Sequence, residues 1–328
     1  MGVLVLTKVV IVLMLAFLGS VLFSLIMIPI LKENNITANI STYIWDGHKK
    51  KQGIPTMGGI IFIFTTLILS TILTLRNKIS FSSDITIVLF TLTFYSLIGF
   101  LDDYLSIKRG ENEGLTSYQK LILQILVALG VFYLYLEAGG TTVFQVTALG
   151  ISLDMSWVYG AFILFILVGA SNAVNLTDGV DGLAGSLAFV SLISYALIAL
   201  VVGKLDLTLF LMIFAGSILG FLMFNLHPAR VFMGDVGSLP IGAVMGVVAI
   251  LTHKEITLLL IAGVFVFETL TTILQLFWLT VFKKKLFLMT PYHHNLEKLG
   301  YKESSIVRIF LVISIVLALI GIYYGVWL

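Results

Sequence analysis

The chain has 328 residues, of which 59% are hydrophobic and only 11% charged, with a formal net charge of +2. A soluble domain carries about a quarter charged residues, so this composition excludes a globular protein free in water, and the small net charge gives no footing for nucleic acid. There is no cysteine, which excludes disulfides and thiolate metal sites.

Ten apolar windows follow one another, most of them close to the roughly 20 residues a helix needs to cross a bilayer. They are Val3–Leu31, Met57–Leu75, Ile85–Leu101, Tyr118–Leu136, Trp157–Val174, Leu183–Val202, Leu207–Phe224, Val236–Leu251, Ile256–Phe282 and Ile306–Trp327. The first exceeds the apolar core of a signal peptide and is expected to be retained. The eighth is short and carries Gly and Pro. Helices satisfy their own backbone groups in lipid, and the alternating segments of a barrel are missing. The expected fold is all-α: a polytopic membrane helix bundle of about ten transmembrane helices, one integral-membrane domain over residues 1–328.

Positive charge sorts by connection. Fourteen Lys and Arg fall in or beside the odd connections, among them Lys49, Lys50, Lys51, Lys120, Arg230, Lys283, Lys284 and Lys285; five, Lys8, Arg76, Lys78, Lys204 and Lys254, fall on the other side. The positive-inside rule then predicts both termini on the outer side and five cytoplasmic connections, about 32–56, 102–117, 175–182, 225–235 and 283–305.

The carboxylates and histidines gather on that predicted cytoplasmic face. Asp102 and Asp103 close the third window. A solvated helix terminus is one reading, but a helix C-terminus disfavours anions, and adjacent carboxylates repel unless they share a cation or a proton; a hard-metal or acid–base site is the other. Asn175, Asp178 and Asp181 are spaced by three, which on a helical turn would face them one way; a polar turn is the plain alternative. Asp235 opens the eighth window, where a carboxylate also suits a helix N-cap. Phe232, an aromatic in a polar loop, suits stacking on a base, whereas His227 reads as structural. His293 and His294 suit a metal or phosphate oxygens, and the Lys283–Lys285 run suits topology anchoring and anionic lipid. Glu268 falls in the middle of the ninth window, where a carboxylate is either functional or satisfied by Gln275 or a Thr. No P-loop or dinucleotide fingerprint occurs. Carboxylates for a divalent cation, Lys and His for phosphate and an aromatic for a base together suit phosphoryl transfer, which rests on positioning and charge neutralisation.

Five segments carry a resemblance. They are Gly53-Ile54-Pro55-Thr56-Met57-Gly58-Gly59, Phe100-Leu101-Asp102-Asp103-Tyr104, the run from Asn172 to Ala184, the run from Pro228 to Ser238, and Pro291-Tyr292-His293-His294. In these the chain resembles the phospho-N-acetylmuramoyl-pentapeptide translocases of the polyprenyl-phosphate hexose-1-phosphate transferase superfamily. The resemblance implies a Mg²⁺-dependent reaction of UDP-MurNAc-pentapeptide with undecaprenyl phosphate, giving lipid I and UMP, in the bacterial inner membrane, by a homodimer. It implies catalytic roles for Asp102, Asp103 and Asp235, with Asp235 the metal ligand. It implies substrate binding by Lys51, Thr56, Asn175, Asp178, Asp181, Asn225, Phe232, His293 and His294. Asp102 would deprotonate or position the lipid phosphate for direct attack, the competing scheme being a covalent aspartyl intermediate. The family pattern has a third histidine where this chain has Asn295. Two other functions fit less of the sequence: a transferase of a UDP-N-acetylhexosamine without peptide, and a secondary transporter coupled through Glu268, which would bind near the bilayer midplane.

Overall fold

The computed structural model describes residues 2–37, 51, 53–110, 114–146 and 149–327. Most of the connection 32–56, with Lys49 and Lys50, lies outside the described residues. Helix fills every apolar window: α1 (Gly2–Glu33), α2 (Gly59–Leu75), α3 (Ser83–Arg109), α4 (Ser117–Glu137), α5 (Trp157–Thr177), α6 (Leu183–Val201), α7 (Leu205–Asn225), α8 (Asp235–Leu251), α9 (Thr257–Ile261) with α10 (Gly263–Phe282), and α12 (Glu303–Trp327). A short helix, α11 (Tyr292–Lys298), interrupts the last long connection. Among the described residues eight helices are long and apolar enough to cross a membrane; α2 and α8 are apolar helices of 17 residues. The protein is an all-α polytopic membrane protein.

The bundle is built around α8. Every residue from Val236 to Leu251 is buried, and α3, α5, α2 and α6 pack against it. Such a helix is apolar all round because no side of it meets water. By contrast α1 buries only a narrow stripe, including Val9, Val12, Ala16 and Ser20, against α7, and presents Leu and Ile elsewhere. In lipid such exposure carries no hydrophobic cost.

Three elements depart from the sequence expectation. The ninth window is not one helix: it breaks at Ala262 (φ −97°, ψ 21°) into α9 and α10. Helix α3 does not stop at Leu101 but runs to Arg109 and is closed by Gly110 at φ 68°. Asp102 and Asp103 therefore sit inside the helix, and the macrodipole argument for their strain at a C-terminus does not apply; Lys108 and Arg109 occupy the last turn instead. Between α4 and α5 a small hairpin pairs β1 (Val143–Val146) antiparallel with β2 (Ile151–Asp154), Val143 opposite Asp154, an addition to the all-α expectation.

Candidate active site

Helices α3, α4, α5 and α8 meet at an acidic centre. A Cβ on Gly99 would run into the Asp235 carbonyl, so this glycine lets α3 lie directly against the start of α8. One turn further along α3, Asp103 accepts hydrogen bonds from Asp235 N at 3.1 Å and Val236 N at 3.0 Å. The cap of α8 is thus supplied by a neighbouring helix. The N-cap residue itself is Gly234, with no side chain to offer, and Asp235 is freed from the capping role its position suggested. Both oxygens of Asp235 are engaged from elsewhere: Asn175 donates to Oδ1 at 2.6 Å and Lys120 to Oδ2 at 2.5 Å. The same Lys120 ammonium lies 3.0 Å from Asp102 Oδ2, and Asp102 Oδ1 accepts from Leu115 N at 2.8 Å. Asn175 also reaches Ser238 Oγ at 3.0 Å. A cavity of about 420 Å³ borders the centre, lined by Asp102, Lys120, Asn175, Gln124, Asn172 and Leu121 among others.

A second charged cluster joins four segments far apart in sequence. Lys51 Nζ lies 2.7 Å from both Asp181 Oδ1 and Glu303 Oε2. His227 Nδ1 and Ala229 N stand 3.1 Å from Asp181 Oδ2. Burial opposes the charge on Lys51, yet its hydrogen bonds to Asp181 and Glu303 outweigh that and raise its pKa. The Phe232 ring centroid is 5.9 Å from Lys51 Nζ, and its loop is pinned by Phe232 N to Pro55 O at 2.7 Å and Gly58 N to Phe232 O at 2.8 Å. Thr56 is buried beside it. Asn225, also buried, braces the same loop by donating to Val231 O at 2.9 Å. Asp178 stands between the two clusters. Burial, then the carboxylates of Asp235 and Asp181, push its carboxyl well above the usual range, against the pull of Lys51.

The spacing of Asn175, Asp178 and Asp181 therefore does not produce one shared face. Helix α5 ends at Thr177, so Asn175 turns to Asp235 from the last helical turn while Asp181, beyond the turn, reaches Lys51.

The histidines meet these clusters through Gly179. A Cβ there would run into His293 Nε2 and come within 3.0 Å of His294 Nε2, so the glycine lets the 178–182 turn press on both rings. His293 is fully buried, its Nε2 without a hydrogen-bond partner among the described residues and its Nδ1 3.4 Å from Glu268 Oε2. Burial depresses its pKa, with Glu268 pulling the other way. His294 Nδ1 lies 2.6 Å from Glu297 Oε2.

Residues 85–253 match the model of glycosyl transferase family 4, and residues 51–63 match phospho-N-acetylmuramoyl-pentapeptide-transferase signature 1. The chain is 42% identical over 315 residues to the phospho-N-acetylmuramoyl-pentapeptide-transferase of Bacillus subtilis, 41% over 314 residues to that of Bacillus licheniformis and 43% over 318 residues to that of Bacillus pumilus. Each comparison covers 96% of this chain and 97% of the relative. The chain belongs to the phospho-N-acetylmuramoyl-pentapeptide-transferase family.

Several residues of this transferase are not conspicuous in its sequence. Lys120 reads there only as a topology charge, although a lysine in the first turn of a helix opposes the macrodipole, and that is the available signal. Glu303 carries no motif, and His227, structural by its sequence context, stands on Asp181. Glu268 is neither paired with Gln275 nor with a Thr through its carboxylate. Buried in α10, it accepts from Tyr292 N at 2.5 Å and His293 N at 3.1 Å, capping the helix that carries the histidines. Gln275 instead holds the 283–291 loop, its Oε1 accepting from Leu286 N at 3.0 Å and Phe287 N at 2.9 Å. Asn295, in the third histidine position, accepts from Leu288 N at 3.0 Å; in this chain that position braces a loop.

Proposed function

We propose that this family member transfers phospho-MurNAc-pentapeptide from UDP-MurNAc-pentapeptide to undecaprenyl phosphate, giving lipid I and UMP, at the cytoplasmic face of the plasma membrane. The observation that carries the reading is the single ammonium of Lys120 shared between Asp102 and Asp235, with an aromatic and a lysine suited to a nucleoside in the neighbouring cluster. The donor set fits Mg²⁺: it offers hard carboxylate oxygens, and a cation, Lys120, already stands where two of them converge. Asp235 and Asp102 would hold the ion, which supplies Lewis-acid neutralisation of pyrophosphate charge. Asp103, with both oxygens on the start of α8, serves to fix Asp235. The trio Asp181, His227 and Glu303 also has its ligand atoms within 4.8 Å of one another, but its two carboxylates already share the Lys51 ammonium, whereas at the acidic centre Asp103 adds a third carboxylate beside the pair that shares Lys120.

In this scheme Phe232 stacks on the uracil, with Lys51, Thr56, Asn225 and Asp181 around the nucleoside. Asp178 and His294 line the way to the phosphates, with His293 buried behind them. Asp102, oriented by Leu115 N and Lys120, takes or directs the proton of the acceptor phosphate. An oxygen of that phosphate attacks the β-phosphorus, the bond from phosphorus to the bridging oxygen breaks, and UMP leaves while Lys120 balances its charge. A homodimer and outward-facing termini belong to the same reading.

The test is UMP release by detergent-purified protein given undecaprenyl phosphate, Mg²⁺ and either UDP-MurNAc-pentapeptide or UDP-GlcNAc. Release with the pentapeptide substrate alone is expected. Release with UDP-GlcNAc alone would overturn the substrate assignment, and a phospho-sugar adduct trapped on the enzyme without lipid would overturn direct attack.

A further inference from the structure

A second cavity, of about 790 Å³, lies across α11 from the histidines. Tyr292, Asn295, Lys298 and Leu299 line it from positions i, i+3, i+6 and i+7, one face of the short helix, while the 285–288 loop forms the facing wall. That wall is built. Gln275, buried in α10, fixes Leu286 and Phe287 through three hydrogen bonds, and buried Asn295 fixes Leu288.

The lining pairs two chemistries. Lys285 and Lys298 contribute ammonium groups, and no ion pair joins either to a described carboxylate; the nearest candidate on the helix, Glu297, is engaged with His294 at 2.6 Å. Leu286, Leu288 and Leu299 are 41%, 53% and 56% exposed. Leu274, Phe277 and Val281 on α10, the helix that carries Gln275, are exposed as well, which suits lipid contact. A site for a free anion has no use for such an apolar rim, and a purely apolar groove has no use for two cations. Cationic side chains at an apolar boundary suit an anionic amphiphile, and the volume falls in the range of small-molecule sites.

We propose that this cavity seats an anionic glycerophospholipid of the surrounding leaflet, its phosphate between Lys285 and Lys298 and its acyl chains along Leu286, Leu288 and Leu299. The bound lipid packs on α11 from the side opposite the two histidines. The site depends on the chain lying in a membrane and not on the reaction proposed above.

The experiment uses the full-length protein in phosphatidylcholine nanodiscs containing a trace of photoactivatable phosphatidylglycerol, with the labelled peptide located by mass spectrometry. Labelling centred on residues 285–299 is expected. It should fall roughly five-fold in Lys285→Gln and about 25-fold in the Lys285→Gln/Lys298→Gln double variant, as expected for two lysines at an anionic surface. The double variant should retain its melting temperature and its basal UMP release. Undiminished labelling of the double variant would overturn the proposal, as would equal labelling by a phosphatidylcholine probe. Displacement of the probe by inorganic pyrophosphate would also overturn it, by marking a site for a soluble anion.

Discussion

The two charged clusters at the loop-rich end of the bundle use a lysine in opposite ways. At the acidic centre, Asp102 and Asp235 share the one ammonium of Lys120 while Asp103 stands beside them on the amides of Asp235 and Val236, three carboxylates to one ammonium beside an open cavity. In the other cluster Lys51 bridges only two carboxylates, Asp181 and Glu303, with His227 alongside, and ties together segments separated by as many as 252 residues. The first arrangement leaves more negative charge unmatched and improves when a cation arrives; the second, two carboxylates to one ammonium, is closer to balance and holds loops in place. Nearness of acid and base in a structure therefore does not by itself mark chemistry. The surplus of charge and the access to a cavity separate the two.

The division can be broken by substitution, and the largest effect belongs to the acidic centre. Asp235→Ala should lower kcat by roughly 10³-fold, the scale of losing a main electrostatic group, with little change in melting temperature because Asp103 still caps α8. A loss confined to KM would contradict the assignment. Lys51→Gln should act differently. It leaves Asp181 and Glu303 facing each other without a cation, a loss of about 2 kcal/mol after allowing for the partial exposure of the pair. The nucleotide KM should rise about ten-fold, as when uniform binding is removed, while kcat moves much less. Steady-state kinetics beside thermal denaturation separate the two patterns.

Smaller effects sharpen the picture at the histidines. Glu268→Gln keeps an acceptor for Tyr292 N and His293 N but removes the charge, a change of about 1 kcal/mol. A several-fold fall in kcat is expected, with nucleotide KM unchanged. Burial holds the His293 pKa below the ordinary value of about 6.5, so its stabilising contribution is complete above that pH and is lost as pH falls toward the depressed folded value. Asp178 has the opposite sign: its raised carboxyl stabilises the fold when protonated, and that contribution is lost as pH rises through its folded value. His293→Gln should flatten the decline of melting temperature below about pH 6.5, and an unchanged slope would contradict the buried neutral ring.

Hydropathy made the bundle legible, because long apolar runs leave a chain few choices in lipid. The loop motifs likewise singled out Asp102, Asp235 and Asn175, since polar residues beside membrane spans are conspicuous, whereas Lys51 entered as a site residue only through the family resemblance. What stayed hidden were partnerships. Glu268 meets an amide 24 residues away and Asp103 one 132 residues away, distances that no local pattern encodes. The continuation of α3 was recoverable, because Gly110 after Lys108 and Arg109 is a helix-stop signal; weighing the apolar window alone obscured it. The break at Ala262 has no Pro and lies within an uninterrupted apolar run, so hydropathy gave no warning of it.

The most direct test of the division between the clusters is a Mg²⁺ titration of UMP release at saturating nucleotide. Asn175 donates to Asp235 Oδ1, so if Asp235 holds the ion as proposed, Asn175→Ala should raise the half-saturating Mg²⁺ concentration roughly 10- to 100-fold, the usual effect of losing a partner of a metal ligand. Asp181→Asn should leave that concentration where it is and weaken only nucleotide binding. If Asp181→Asn shifted the Mg²⁺ requirement and Asn175→Ala did not, the cation would belong to the Lys51 cluster and the roles of the two clusters would be reversed.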